Sequence, residues 1–377
     1  MAKYNQLSLQ LKNRILQGDY ALAGFPAERQ LAMQSGVSYV TARRALQQLI
    51  DEGILVRGSN GRVEISKAGH CDVPTVSAAF LAPAFSSPNI ERWRSMLNRA
   101  VRQMQGNLRP VLYRHWDDPL IADALESFDG VFLLPSTEPM PPELIQRLQK
   151  ANRPLVMLNE DMSHLGIPTV RQSAPVFVQR LLDHLEAQGH RKIDCLNVQP
   201  SNGIVEQRIE QWRLWMAVRH LPGSLINEPV ESYTEPYSAA YSAIKRLTLK
   251  GSFAPDALFC VTMAGAIGAM RAMHEAGIRP GVDVAVCAMD GEGLAPFQIP
   301  STTAVEEGDV TPSICLCLKW MAQGGGAWSG PLLMQPAEPL LIVRESTSLA
   351  RKKLVDVTAN AALTQVKVEK HNAHIQV

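Results

Sequence analysis

Five arginines, at positions 29, 43, 44, 57 and 62, punctuate the stretch FPAERQLAMQSGVSYVTARRALQQLIDEGILVRGSNGRVEI, residues 25–65. Between them stand Ser38, Tyr39 and Thr41, and a turn containing Ser59, Asn60 and Gly61. The chemistry these side chains offer is recognition of a nucleic-acid duplex. A guanidinium fork donates paired hydrogen bonds to phosphate oxygens or to the O6 and N7 acceptors of guanine. Short hydroxyls and a tyrosine at the start of a helix reach base edges, and backbone at a glycine turn approaches closely. Any one of these arginines would ordinarily do no more than solvate a helical face. The ordered set is what carries the reading.

Other groups with catalytic potential read differently. The neighbouring carboxylates Asp117/Asp118, Glu160/Asp161 and Glu306/Glu307 are adjacent in sequence, so their side chains diverge in a strand, and exposed turns or caps are expected for them. His184 and His190 lack a third metal ligand at a useful spacing. There is no G-x-S-x-G elbow and no G-x-x-x-x-G-K-[ST] phosphate loop, and GGGAWSG at 324–330 reads as a flexible connection. No enzyme, metal or cofactor is expected.

The elements that must position the basic set are legible upstream and within it. Leu7, Leu11 and Ile15 recur at helical spacing ahead of Gly18. Pro26 opens a second helix that Gly36 stops, and Ser38 stands as N-cap of a third, in which Val40, Ala45, Leu46, Leu49 and Ile50 are expected to face inward. Gly53 ends that helix, and ILVRGSNGRVEI follows as two short strands and a turn.

The whole chain has 377 residues, 46% of them hydrophobic, with a net charge of +1, which implies two or three domains and hides a local basic surface inside a balanced total. Its start, MAKYNQLSLQLKNRIL, carries Lys3, Lys12 and Arg14 and does not read as a signal peptide, and no apolar run approaches the roughly 18 residues of a membrane span. A cytoplasmic location is expected. The six cysteines fit neither a disulfide framework nor a paired-CxxC zinc site, and read as buried thiols. Beyond KAGHCDV, seven short apolar runs (TVSAAFLA, RPVLYR, GVFLLP, PLVMLN, KIDCLNV, DALFCV, VAVCAM) alternate with helical segments. That alternation predicts a doubly wound α/β architecture, long enough for two lobes. The expected division is a reader at 1–66, a linker at 67–73, a two-lobed domain at 74–350, and a C-terminal extension at 351–377 with no functional reading.

PAERQLA, then GVSYVTARRAL, L-x-x-EG and a glycine-containing wing together resemble the winged helix-turn-helix of GntR-family transcription regulators. The resemblance implies that Arg29, Ser38, Thr41, Arg43 and the wing tip at Gly61 face DNA, and Tyr39, Arg44, Arg57, Asn60 and Arg62 complete the expected DNA-binding set. Tyr39 departs from the arginine common in that family. The segments LLDHLEAQGHRKIDCL, RIEQWRLWM, PDALFC…VAVCAMDGEG and PLLIVREST similarly resemble the periplasmic-binding-protein-like effector domain of the LacI family, over about 74–350. The combined arrangement resembles the arabinose repressor class.

That second resemblance implies a small ligand, often a sugar, held at strand ends and helix starts. Arg208 falls in the family's arginine position, Asp290 in its aspartate position and Trp212 in its aromatic one. Phe85, Ser86 and Ser136, after early strands, are weaker candidates, and Trp212 can equally pack beneath the site. Thr262 and Met263 replace a frequent aspartate, and Arg171, Gln172 and Ser173 replace a frequent Asp-Asn pair. A sugar or sugar derivative is the first expectation, with an acidic or less hydroxylated ligand or a degenerate pocket as alternatives. A ligand-modulated repressor is thus expected, acting as a homodimer on a palindromic double-stranded operator, with no membrane partner. The alternatives are an effector-blind DNA binder, or a small-molecule-binding protein or enzyme unconnected with DNA.

Overall fold

The computed structural model describes residues 3–16, 20, 25–58, 61–66 and 76–348. The expected linker at 67–73, the C-terminal extension at 351–377, Gly18, Ser59 and Asn60 lie outside the described residues.

The chain begins with α1 (Lys3–Leu16), α2 (Glu28–Gln34) and α3 (Tyr39–Asp51), followed by an antiparallel hairpin of β1 (Leu55–Arg57) and β2 (Val63–Ile65). Both α2 and α3 end in the same device. After α2, the Gly36 N–H donates to Met33 O and the Val37 N–H to Ala32 O; after α3, Gly53 and Ile54 repeat this toward Ile50 and Leu49. Each closure needs a left-handed residue, supplied by Gly36 (φ 59°) and Gly53 (φ 74°). The tight α2–α3 turn follows directly from it. Leu7, Leu11, Ile15, Leu31, Ala42, Ala45, Leu46, Leu49, Leu55 and Val63 form one core. Val40 is a correction to the inward face: it is 65% exposed, because the buried stripe runs through Ala42, Ala45, Leu46 and Leu49.

Next come β3 (Ser77–Pro83), α4 (Pro88–Gln103), β4 (Asn107–Tyr113), α5 (Pro119–Ser127), β5 (Gly130–Leu133), α6 (Pro142–Gln149), β6 (Leu155–Leu158) and β7 (Thr169–Val170). The chain continues through α7 (Val178–Ala187), β8 (Ile193–Asn197), α8 (Gly203–Arg219), β9 (Leu225–Asn227), α9 (Tyr237–Leu249), β10 (Ala257–Cys260), α10 (Met263–Glu275), β11 (Ala285–Met289) and β12 (Thr303–Glu306). It ends with α11 (Thr311–Ala322), β13 (Leu333–Met334), β14 (Leu340–Ile342) and α12 (Glu345–Ser348). These residues divide into two compact units, one running up to Arg171 and including Asp309–Gln335, the other comprising Gln172–Gly308 and the residues from Pro336.

The first unit holds a six-stranded sheet in the order β13-β7-β6-β5-β3-β4, and the second one in the order β14-β12-β11-β10-β8-β9. Every pairing is parallel except β12 with β14. Helices cover both faces of such sheets, so the central strands β5, β6, β10 and β11 are buried at every position, which is why they read as unbroken apolar runs. Cys195 and Cys287 flank Phe259 in register inside one core, and Cys260 faces the other. The segment at 324–330 is built rather than loose. Gly324, Gly325 and Gly326 all have positive φ (79°, 84° and 87°), and the Trp320 indole N–H donates to Gly326 O at 3.2 Å. Trp328 stands edge-on to Trp320 with ring centres 5.0 Å apart.

Candidate functional site

In the reader, Ser38 caps α3 as its sequence position requires. Its Oγ accepts from the Thr41 N–H at 3.2 Å and shares a hydrogen bond of 2.8 Å with Thr41 Oγ1. The two hydroxyls therefore fix each other at the helix start. Arg29, Arg43, Arg44 and Arg62 are exposed, as are Tyr39 and Gly61, the latter turning the wing with φ 73°. The Arg44 guanidinium lies 5.9 Å from the centre of the Tyr4 ring, which ties α3 to α1. Arg57 does not simply bracket the hairpin tip. Its Nη2 donates to Glu28 Oε1 at 3.0 Å, and the Tyr39 hydroxyl donates to Glu28 Oε2 at 2.7 Å.

Glu28 is thus a residue that the sequence reading passed over, a carboxylate joining α2, α3 and β1 within the basic face. The Tyr39 hydrogen bond above all, with help from Arg57 and Arg43, holds its carboxyl below the usual carboxylate range against burial, the second-largest influence. The same contact pushes the Tyr39 hydroxyl up. Val40, expected to face inward, is instead exposed beside Tyr39.

In the second unit, Arg208 and Asp290 meet at the carboxyl ends of the parallel strands. Asn202 caps α8 through hydrogen bonds of 3.1 Å from both Ile204 N and Val205 N, so the first turns of that helix are fixed and Arg208 projects from a rigid base. Arg208 is 4% exposed and donates through Nη1 to Val261 O at 3.0 Å, after β10, and through Nη2 to Asp290 Oδ2 at 2.6 Å, after β11. Ser173 Oγ lies at 3.5 Å from the same Nη2. Asp290 sits in the left-handed region at φ 56°, a conformation uncommon outside glycine and found where a site dictates the backbone.

Two buried atoms of this pair have no hydrogen-bond partner, Arg208 Nε and Asp290 Oδ1, and the same holds for Nε2 and Oε1 of Gln172, the residue before Ser173, which is only 2% exposed. Buried polar groups are nearly always hydrogen-bonded, so these donors and acceptors can take a further partner. Thr262 Oγ1 is already occupied, accepting from Gln199 Nε2 at 3.0 Å.

Other expectations are redrawn. Trp212 belongs to the core, 5% exposed, with its indole N–H donating to Ile193 O at 3.2 Å, which leaves it no polar group to offer a ligand. Glu306 and Glu307 are not exposed turn residues. Glu306 pairs with Arg344 at 2.6 Å, and the buried Glu307 accepts from Glu292 N at 3.2 Å. In the first unit, Phe85 and Ser86 follow β3, and Ser136 follows the neighbouring strand β5. Phe85 packs against the core, Ser86 is exposed, and Ser136 Oγ accepts from Glu138 N at 3.2 Å. Asp118 caps α5 through Leu120 N at 3.0 Å. His184 bonds Thr347 Oγ1 at 2.9 Å, and among the described residues no group of three or more His, Cys, Asp or Glu is arranged to hold a metal ion. Among the described residues no helix is long and apolar enough to cross a membrane.

Residues 3–65 match the gntR family of bacterial regulatory proteins, and residues 182–308 match a periplasmic binding protein-like domain. The reader is similar to the HTH-type transcriptional repressor NagR of Bacillus subtilis, 44% identical over 62 residues that cover 16% of this chain and 24% of that one. A longer match, 24% identical over 179 residues and covering 48% of this chain, is to the probable HTH-type transcriptional repressor ExuR of the same organism. The chain spans about half the length of that relative, 53%. Among solved structures, a LacI family transcriptional regulator from Enterococcus faecium with bound ribose superposes with a TM-score of 0.60 at 16% identity, covering 73% of this chain and 100% of that one. At that identity the likeness is one of fold.

Proposed function

We propose that this chain, which joins a GntR-type winged reader to a periplasmic-binding-protein-like domain of LacI type, is a transcription regulator whose hold on operator DNA is set by a small uncharged polyhydroxyl ligand. The observation that carries this reading is the buried Arg208–Asp290 pair with its partnerless Nε and Oδ1 atoms, in a chain whose first residues form a basic winged reader. Arg208 and Asp290 neutralise each other at 2.6 Å. What they offer a ligand is therefore one N–H and one carboxylate oxygen without net charge. Hydroxyl groups, which both donate and accept, satisfy that set, whereas a phosphate or carboxylate would face Asp290. The ribose bound to the Enterococcus faecium regulator supports the sugar class, and the repressor names of the two Bacillus relatives support repression.

The working unit in this proposal is a homodimer in the cytoplasm. Two readers on successive major grooves, about 34 Å apart, would read a palindrome, with Arg29, Ser38, Thr41, Arg43, Arg44 and Arg62 toward the duplex. Ligand acts by linkage, binding one arrangement of the protein more tightly and so shifting the population that fits the operator. The test is binding of the full chain to a labelled duplex from upstream of its own gene, at fixed salt, with neutral sugars, sugar phosphates and sugar acids added in turn. Release by a neutral sugar supports the proposal. Release only by an anionic member would overturn the ligand class, binding that no compound alters favours an effector-blind regulator, and absence of sequence-specific binding defeats the whole reading.

A further inference from the structure

The Tyr39–Glu28–Arg57 contact has a consequence for what the reader can recognise. An ionised carboxylate only accepts hydrogen bonds, and both Glu28 oxygens are engaged by donors from two other elements, Oε2 by the Tyr39 hydroxyl at 2.7 Å and Oε1 by Arg57 at 3.0 Å. A tyrosine hydroxyl has one proton. Once that proton points at Glu28, the phenolic oxygen presents only lone pairs elsewhere. Tyr39 is the first residue of α3 and is 43% exposed, the position from which a recognition helix touches base edges. In the major groove the only amino donors are cytosine N4 and adenine N6, whereas guanine presents acceptors at N7 and O6. A phosphate oxygen, also an acceptor, is equally unsuited to an oxygen that has no proton to give.

From this geometry we infer that Tyr39 is a specificity-determining residue, oriented by Glu28 so that it accepts from the amino group of a cytosine or adenine at one position of each half-site and disfavours guanine there. Glu28 is the positioning residue: it need not touch DNA, but it decides which way the tyrosine proton points. An arginine at position 39 would do the opposite, donating to guanine. The inference rests on the duplex-binding reading above and adds to it a base class at one position.

The experiment is selection of duplexes from a randomised pool by the full chain, followed by affinities for the selected site and its single-base variants, for wild type, Tyr39→Phe, Glu28→Gln and Tyr39→Arg. Wild type should enrich cytosine or adenine at one half-site position. Tyr39→Phe should reduce the preference at that position alone by about two- to tenfold, the worth of one hydrogen bond, and leave the salt dependence unchanged. In Glu28→Gln the side-chain amide can donate to the phenolic oxygen and free its proton to turn outward, so guanine should become tolerated at the same position. Tyr39→Arg should shift the preference there to guanine. A wild-type requirement for guanine at the position that Tyr39→Phe alters, or no position altered by Tyr39→Phe, overturns the assignment to Tyr39. An unchanged preference in Glu28→Gln overturns the role given to Glu28. If wild type enriches no sequence, the inference and the duplex-binding reading fall together.

Discussion

The polar groups of the reader and those of the second unit are prepared in opposite ways. In the reader they are exposed and bonded to one another: Ser38 to Thr41, and Tyr39 and Arg57 to Glu28. In the second unit Gln172, Arg208 and Asp290 are largely or wholly buried and retain atoms bonded to nothing in the protein. An exposed group can exchange its partner for water or for DNA at little net change in free energy, so the reader gains by fixing orientation in advance. A buried group without a partner raises the free energy of the unliganded state, and a ligand that satisfies it recovers that difference. The contrast suits a duplex that must be scanned and released, and a small molecule that must be distinguished from close relatives.

Substitutions break this comparison in order of size. Arg208→Ala leaves the Asp290 carboxylate, 14% exposed, without its counter-charge and should destabilise the protein by about 3–5 kcal/mol. Urea denaturation measures this, and the double substitution with Asp290→Ala should restore part of the loss. No change in Arg208→Ala would show that the pair is not isolated from solvent. Gln172→Leu goes the other way. Removing a buried amide whose two polar atoms lack partners should stabilise the unliganded chain by about 1–3 kcal/mol. A destabilised Gln172→Leu would mean that the amide has partners after all.

On the reader side, Arg43→Ala should weaken operator binding by about 1–3 kcal/mol and, for a phosphate contact, lower the slope of log affinity against log salt by about one. Its thermal stability should stay within about 0.5 kcal/mol of wild type, because Arg43 is exposed. Ser38→Ala should cost about 1 kcal/mol of reader stability through the lost N-cap, read by thermal denaturation of the full chain. The smallest effect is a pH dependence. Because the Tyr39 hydrogen bond and the nearby arginines lower the folded-state pKa of Glu28, its contribution is complete above the ordinary carboxylate range and lost as pH falls through the lowered value. The stability difference between wild type and Tyr39→Phe should therefore be present at neutral pH and fade in acid. A difference that grew as pH fell would contradict this sign.

Much of the architecture was legible in sequence because its signals are local. Gly36 and Gly53 announced the helix ends, Ser38 the cap, and the seven apolar runs became parallel strands, six of them largely buried and RPVLYR the half-exposed edge strand β4. Elements with weaker signals were not separated out: α5 and α11, and the short strands β7, β9, β12 and β13, which contribute two to four residues each to a sheet. The GGGAWSG segment misled, since three glycines indicate freedom in an isolated chain, whereas here they allow a turn stapled by two tryptophans.

The same division runs through the functional residues. Residue types and spacing along α2, α3 and the wing determined that a basic reader opens the chain, because capping, periodicity and charge act over a few residues. The resemblance to the LacI type placed Arg208 and Asp290 among the candidates. Only the tertiary structure decided that these two, 82 positions apart, form one buried pair, that the Gln172 amide is buried, and that Trp212 belongs to the core. It likewise decided that Glu28 reaches Tyr39 and Arg57 across 11 and 29 residues. Hydrogen bonds between distant segments depend on where packed helices and strands bring their side chains, and burial, which decides whether an unsatisfied group matters, is a property of the assembled core.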